Sequence, residues 1–166
     1  VANAAHHAQQ AAAASGEARI TFLTPAERAD VDAISAQIIP SDGTPGAREA
    51  GVIFFIDRAL ATFFSSIAKD FRAGLAAFQS ECHARHPDCE SFAALPSAQQ
   101  IGFLHEVEGT PFFVRVRLLT VLGMFASPAH GGNRNGVGWK LIGFEERHMF
   151  EPPFGYYDRD YPGFKA

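Results

Sequence analysis

The sequence predicts a mainly α protein: a small antiparallel helical domain of about five helices, with an N-terminal arm and a long irregular C-terminal tail. Two observations carry this reading. Apolar residues recur at three- and four-residue spacing in successive segments between about residues 25 and 125, and breaks rich in Pro and Gly separate them. From Ser127 onward that period vanishes, and the last forty positions hold seven Gly, four Pro and eight aromatic residues. A length of 166 residues suits one domain with a core of its own. The chain divides into an arm (1–21), a helical domain (22–126) and a tail (127–166).

The elements follow in order. "TPAE" at Thr24–Glu27 is a helix start, with Thr24 as cap, Pro25 in the first turn and Glu27 placed to close a capping box. The first helix runs to about Ile39, where Pro40 stops it. Val31, Ile34 and Ile38 share one face, with Arg28, Asp30 and Asp32 off it. After the turn formers "PSDGTPGA", Val52, Ile56, Leu60, Phe63 and Ile67 continue in helical register as a central second helix. A third carries Phe71, Leu75, Phe78 and Cys82 and is interrupted near Pro87. Ile101, Leu104 and Val107 mark a fourth, closed by Gly109. The fifth, about Pro111 to Phe125, places Phe112, Val116, Leu119, Leu122 and Phe125 on one stripe, widened by Phe113 and Val121. Its Arg115 and Arg117 form the solvent or partner side. One short strand is expected at Trp139–Phe144. So many rings do not suit a solvated linker, because each Å2 of apolar surface left in water costs about 25 cal/mol. The tail is therefore expected to cover a surface.

Composition narrows the function classes. A formal charge of −4 and a pI near 5.9, without a basic cluster interleaved with aromatics, argue against nucleic acid as a partner. The longest apolar runs, "VIFFI" and "LLTVLGMFA", fall far short of the roughly 20 residues that span a bilayer. The opening "VANAAHHAQQAAAASGEA" lacks the basic start and apolar run of an export signal and reads as the mature end of a processed chain, resting on its own domain or on a partner. Sixteen Phe exceed what a core of this size requires, and such an excess often lies at an interface.

No self-contained chemical site emerges. "CHARHPDC" offers Cys82, His83, His86 and Cys89, but the spacing matches no common zinc pattern. In an exported chain Cys82 and Cys89 are candidates for a disulfide, with Pro87 folding the backbone back; two free buried thiols are the alternative. Neither cysteine begins a haem-attachment motif, and "GVG" at Gly136–Gly138 lacks the third Gly and the strand context of a dinucleotide site. His105, Glu106 and Glu108 read as a solvated helix face, and Ser127 with His130 has no acidic orienter. No catalytic residue, metal ligand or cofactor-binding residue is assigned.

"FLTPAERADVDAISAQIIPSDGTPGAREAGVIFFIDRAL" and "HGGNRNGVGWKLIGF" together resemble the gluconate 2-dehydrogenase subunit 3 family, from about Phe22 to Phe144. His130 stands where that family often has Tyr. The resemblance implies the small subunit of a periplasmic sugar or polyol dehydrogenase complex, such as gluconate 2-dehydrogenase or glucoside 3-dehydrogenase. The large subunit, of the glucose-methanol-choline type, would hold FAD and catalyse, and a cytochrome c would accept electrons. The small subunit would bring a twin-arginine signal, since removed, and support export, stability and FAD loading. On this reading Asn133, Asn135, Trp139, Phe144, Phe150, Phe154, Tyr156 and Tyr157 are candidates for the partner interface; the alternative is that the rings close the chain's own core. A free-standing exported protein-binding domain and a small metal-binding redox protein are the competing functions.

Overall fold

Residues 20–146 are described by the structure, a computed structural model. Helix α1 (Pro25–Ile38) begins as its sequence dictates. The Thr24 hydroxyl accepts the Glu27 N–H at 3.3 Å, and the Glu27 carboxylate accepts the Thr24 N–H at 2.8 Å. This reciprocal cap satisfies two donors the helix cannot satisfy itself. Then come α2 (Val52–Ala61), α3 (Ser65–Arg85), α4 (Ser97–Val107), α5 (Pro111–Phe125) and a short α6 (Val137–Leu141). Three single 3-10 turns lie at Phe92–Ala94, Pro128–His130 and Arg134–Gly136, and there is no strand among the described residues.

Two expectations are corrected here. The apolar period from Val52 to Ile67 is not one helix. It breaks at Thr62 (φ −128°, ψ −100°), whose hydroxyl donates to the Arg58 carbonyl at 2.6 Å, while the Phe64 N–H turns back to Ala59 at 2.7 Å. A local hydroxyl bond competes with helix continuation, and periodicity alone does not register it. The strand expected at Trp139–Phe144 is replaced by α6. Left-handed residues at Asn133, Asn135 and Gly136 turn the chain into a helical start, and the segment packs on α5 with no strand to pair with.

Helix α2 lies at the centre, packed against α1, α3 and α5. Val31, Ile34, Val52, Ile56, Leu60, Phe71, Leu75, Val116, Leu119 and Met124 are buried almost completely. A ring cluster joins the far end of the core: Phe78 meets Phe92 and Phe103 edge-on at 5.1 Å and Phe112 at 5.4 Å. Such contacts add about 0.5–1.5 kcal/mol each beyond burial. Cys82, on the same face of α3, is buried as its register requires. Ile101 is not on the inner face of α4; it is exposed, and Phe103 takes the core position.

Buried polar groups tie these elements together. Asp30, expected off the apolar face, is only 1% exposed. Its carboxylate accepts the Gln79 side-chain amide at 2.8 Å and the Ala93 N–H at 2.9 Å, joining α1 to α3 and to the 3-10 turn. Asp57, in the middle of α2, accepts three successive backbone N–H groups, from Thr21, Phe22 and Leu23, at 2.7–2.9 Å. The chain entering α1 is therefore fastened to the central helix. No buried side-chain N or O lacks a partner among the described residues.

Candidate partner interface

The motif that drew attention in the sequence turns inward. Gly132 and Gly138 let the chain cross the end of α5 at backbone contact. A Cβ on Gly132 would meet the Gly123 carbonyl oxygen, and one on Gly138 the Met124 carbonyl oxygen, at 2.2 and 2.0 Å. Between them Asn133 sits in the left-handed region (φ 45°) and is wholly buried. Its Nδ2 donates to the Ala126 carbonyl at 2.9 Å, and its Oδ1 accepts the Gly138 N–H at 2.8 Å. The Asn133 N–H donates to Gly123 at 2.8 Å and the Arg134 N–H to Ala50 at 3.0 Å, so one residue pair joins α5 to the start of α2. Asn tolerates this backbone region because its short amide bonds locally. Asn133 offers no surface to a partner; its amide is spent on its own chain.

The other candidates divide. Asn135, also left-handed (φ 56°), is exposed at the tip of the turn. Trp139 is half-buried; its indole N–H donates to the Phe125 carbonyl at 2.7 Å, capping α5, and its ring lies 5.1 Å from that of Phe144. Phe144 remains 48% exposed, and Leu141 and Ile142 beside it are exposed too. Phe150, Phe154, Tyr156 and Tyr157 lie outside the described residues. The chain past Ala126, set apart in the sequence as tail, is thus continuous with the helical domain as far as α6.

The feature that periodicity underestimated is α5 itself. Phe112, Val116, Leu119 and Gly123 are buried, forming its inner face. At 100° per residue, Val114, Leu118, Val121 and Phe125 fall on the opposite face. Val114 is 54% exposed and Leu118 57%, with Val121 exposed and Phe125 half-buried. Phe125, placed by its sequence on the inner stripe, and Val121, taken as widening it, belong to this outer one, because successive residues turn by about 100°. The helix is apolar on two sides, and the described residues cover one. The signal was present in the absence of charge at 114, 118, 121 and 125, since a helix apolar all round is normally buried all round. Arg117 flanks the outer stripe, exposed, and Arg115 approaches Asp70 at 3.8 Å.

The cysteine and histidine cluster does not converge on a site. Cys82 and Cys89 are free thiols in this structure, and the Cys89 thiol donates to the Ser91 carbonyl at 3.3 Å. Burial, reinforced by the negative charge of Asp30 and by the neighbouring Cys89, pushes the Cys82 thiol up to about 11, so it is neutral at ordinary pH and a poor nucleophile. Among the described residues no group of three or more His, Cys, Asp or Glu is placed to hold a metal. On α4, His105 faces Glu108 at 3.5 Å and Glu106 pairs with Arg85 of α3, all on the surface. No helix among the described residues is long and apolar enough to cross a membrane.

Among the described residues, helices without strands, an internally stapled turn after α5 and one helix apolar on both sides define a small helical module with an apolar face that these residues leave exposed. The chain belongs to the gluconate 2-dehydrogenase subunit 3 family, whose model matches residues 25–145. That span covers α1 from its first residue, the central helix, the two-sided helix and the stapled turn. No curated protein and no solved structure matches the chain.

Proposed function

We propose that this chain is the non-catalytic small subunit of a periplasmic, FAD-dependent sugar or polyol dehydrogenase complex, and that the outer face of α5 with the α6 corner seats the large subunit. The observation that carries the reading is the exposed stripe of Val114, Leu118 and Val121, opposite a fully packed inner face. A helix buried on one side alone gains nothing from apolar residues on the other unless a second body covers them. The family supplies that body, being named as one subunit of a dehydrogenase. Trp139, tied to the end of α5, extends the surface through Leu141, Ile142 and Phe144.

In this complex the flavin and the sugar pocket belong to the large subunit, of the glucose-methanol-choline type, which acts on gluconate, glucose or glucosides oxidised at carbon 3. A cytochrome c is the proposed electron acceptor. The small subunit stabilises the large one, carries it through twin-arginine export on a removed signal, and supports FAD loading.

The test is coexpression with a flavoprotein large subunit encoded beside it. The wild-type chain is expected to copurify with a yellow partner, and Leu118→Asp to lose it while keeping the helical content and thermal midpoint of the free chain. Burying one uncompensated carboxylate against an apolar surface costs several kcal/mol, enough to dissociate the pair at micromolar concentration. Retention of the partner by both Leu118→Asp and Val114→Asp would show that α5 is not the seat.

A further inference from the structure

The side chain of Arg134, the one charged residue in "GGNRNG", is used by neither the staple nor the apolar face. Its guanidinium lies 3.9 Å from the centroid of the Phe54 ring, and that of Arg28, from the first turns of α1, lies 5.4 Å from the same centroid. The stem of Arg134 crosses Gly51 so closely that a Cβ there would meet it at 2.6 Å. Three segments distant in sequence thus bring two cations to one half-buried ring.

Among the described residues neither guanidinium has a hydrogen-bond or carboxylate partner, although neighbouring arginines do. Arg48 bonds Asp32 at 3.0 Å, and Arg72 meets Glu27 at 3.3 Å. Beside Phe54 opens a surface cleft with a largely apolar floor, Pro25, Ala29, Ile53 and Phe54, rimmed by Arg28, Arg48 and Asp32. Contact with a ring restrains a guanidinium while leaving its N–H edge free, so Arg28 on the cleft rim is organised to meet a planar anion. Asp32 on the rim disfavours a multiply charged phosphate. A single carboxylate flanked by apolar atoms suits both the floor and the rim.

We propose that this cleft binds a carboxylate-bearing segment of the large dehydrogenase subunit, with Arg28 donating to the carboxylate, Phe54 packing beneath it and Arg134 holding the Phe54 ring in place. The proposal rests on the reading of the chain as a subunit. It adds a second, charge-reading contact on the α1–α2 side, separate from the apolar seat on α5. Charge pairs of this kind select a partner and orient it, where the apolar face supplies gross affinity.

The experiment measures the dissociation constant of the purified complex across a salt series for the wild type, Arg28→Glu, Arg134→Gln and, as an exposed arginine outside both the cleft and the α5 stripe, Arg85→Gln. Arg28→Glu is expected to weaken the complex at least about tenfold, the scale of a lost charge-assisted hydrogen bond, and to flatten the salt dependence. Arg134→Gln, which frees the Phe54 ring, should act in the same direction and Arg85→Gln should leave both quantities near wild type. Because Arg134 packs on Gly51, its variant also reads folding; Arg28 is exposed, so unchanged thermal stability of the free Arg28→Glu chain assigns its effect to the interface. Wild-type affinity and salt dependence in Arg28→Glu, alongside loss of binding in Leu118→Asp, would overturn the cleft and leave the subunit reading standing. Arg28-dependent binding of inorganic phosphate to the free chain, with the complex unaffected, would overturn it in favour of a small anion. A wild-type chain that binds no large subunit removes both readings.

Discussion

Replacing Asn133 by Asp exchanges one amide nitrogen for oxygen and nothing else, so it isolates the staple. In the native chain Nδ2 donates to the Ala126 carbonyl at 2.9 Å while Oδ1 accepts from Gly138 at 2.8 Å, with the residue wholly out of water. In Asn133→Asp the Gly138 bond survives, but an acceptor faces an acceptor at Ala126. The buried carboxyl then either ionises against a carbonyl dipole or keeps its proton to donate. Orphaning the carbonyl costs about 1–3 kcal/mol, and an unpaired buried charge brings the total at neutral pH to about 3–5 kcal/mol. Against the 5–15 kcal/mol typical of a domain this is a large fraction. The sign with pH follows from linkage. The carboxyl is raised in the folded state above its unfolded value of about 3.9, so the deficit relative to wild type is smallest below about pH 4 and grows as pH rises through the folded value. Urea unfolding followed by far-UV circular dichroism, wild type and variant side by side at each pH, reads it directly. A deficit under about 1 kcal/mol at neutral pH, or one that does not change with pH, would mean that Asn133 does not hold α6 on α5 as described.

Two further outcomes follow from the buried groups. Asp57→Ala removes the acceptor shared by the Thr21, Phe22 and Leu23 N–H groups, and is expected to cost about 2–4 kcal/mol and to speed exchange of those three amides while α5 stays protected; unchanged exchange at Phe22 and Leu23 counts against the tether. Cys82, being neutral and buried, should resist alkylation in the native chain near pH 8 while half-buried Cys89 reacts first, and equal labelling rates by mass spectrometry would contradict the burial. Because its folded value lies above the ordinary 9, the stability it contributes is complete below pH 9 and is lost as pH rises toward about 11.

Helix existence was legible wherever one strong signal dominated. The Thr24 cap and Pro25, the Phe71 to Cys82 register, and the Thr110 and Pro111 start of α5 all stand where spacing placed them. What escaped were local bonds that override periodicity. Thr62 breaks a continuous apolar run because its hydroxyl reaches a carbonyl one turn back, and Asp30 and Asp57 enter the interior because backbone and side-chain donors meet them there. A carboxylate in a sequence carries no mark of the N–H groups that will surround it. The α6 helix was missed for a related reason, since Gly and Asn at 131–138 look like a disordered turn until the buried amide of Asn133 organises them.

The same comparison separates family membership from partner recognition. Gly132, Asn133 and Gly138, within one of the two segments that carry the resemblance, are consumed in holding the chain to the end of α5, where a partner has no access to them. They encode the fold. On the proposed reading, recognition resides in the Leu141, Ile142 and Phe144 corner, the outer stripe of α5, and Arg28 beside Phe54. It follows that loss of the staple should weaken a complex only indirectly, through α6, whereas Leu118→Asp should abolish it in a chain that is fully folded. A staple variant that keeps its fold yet loses its partner as completely as Leu118→Asp would move the contact surface onto the turn itself, through exposed Asn135.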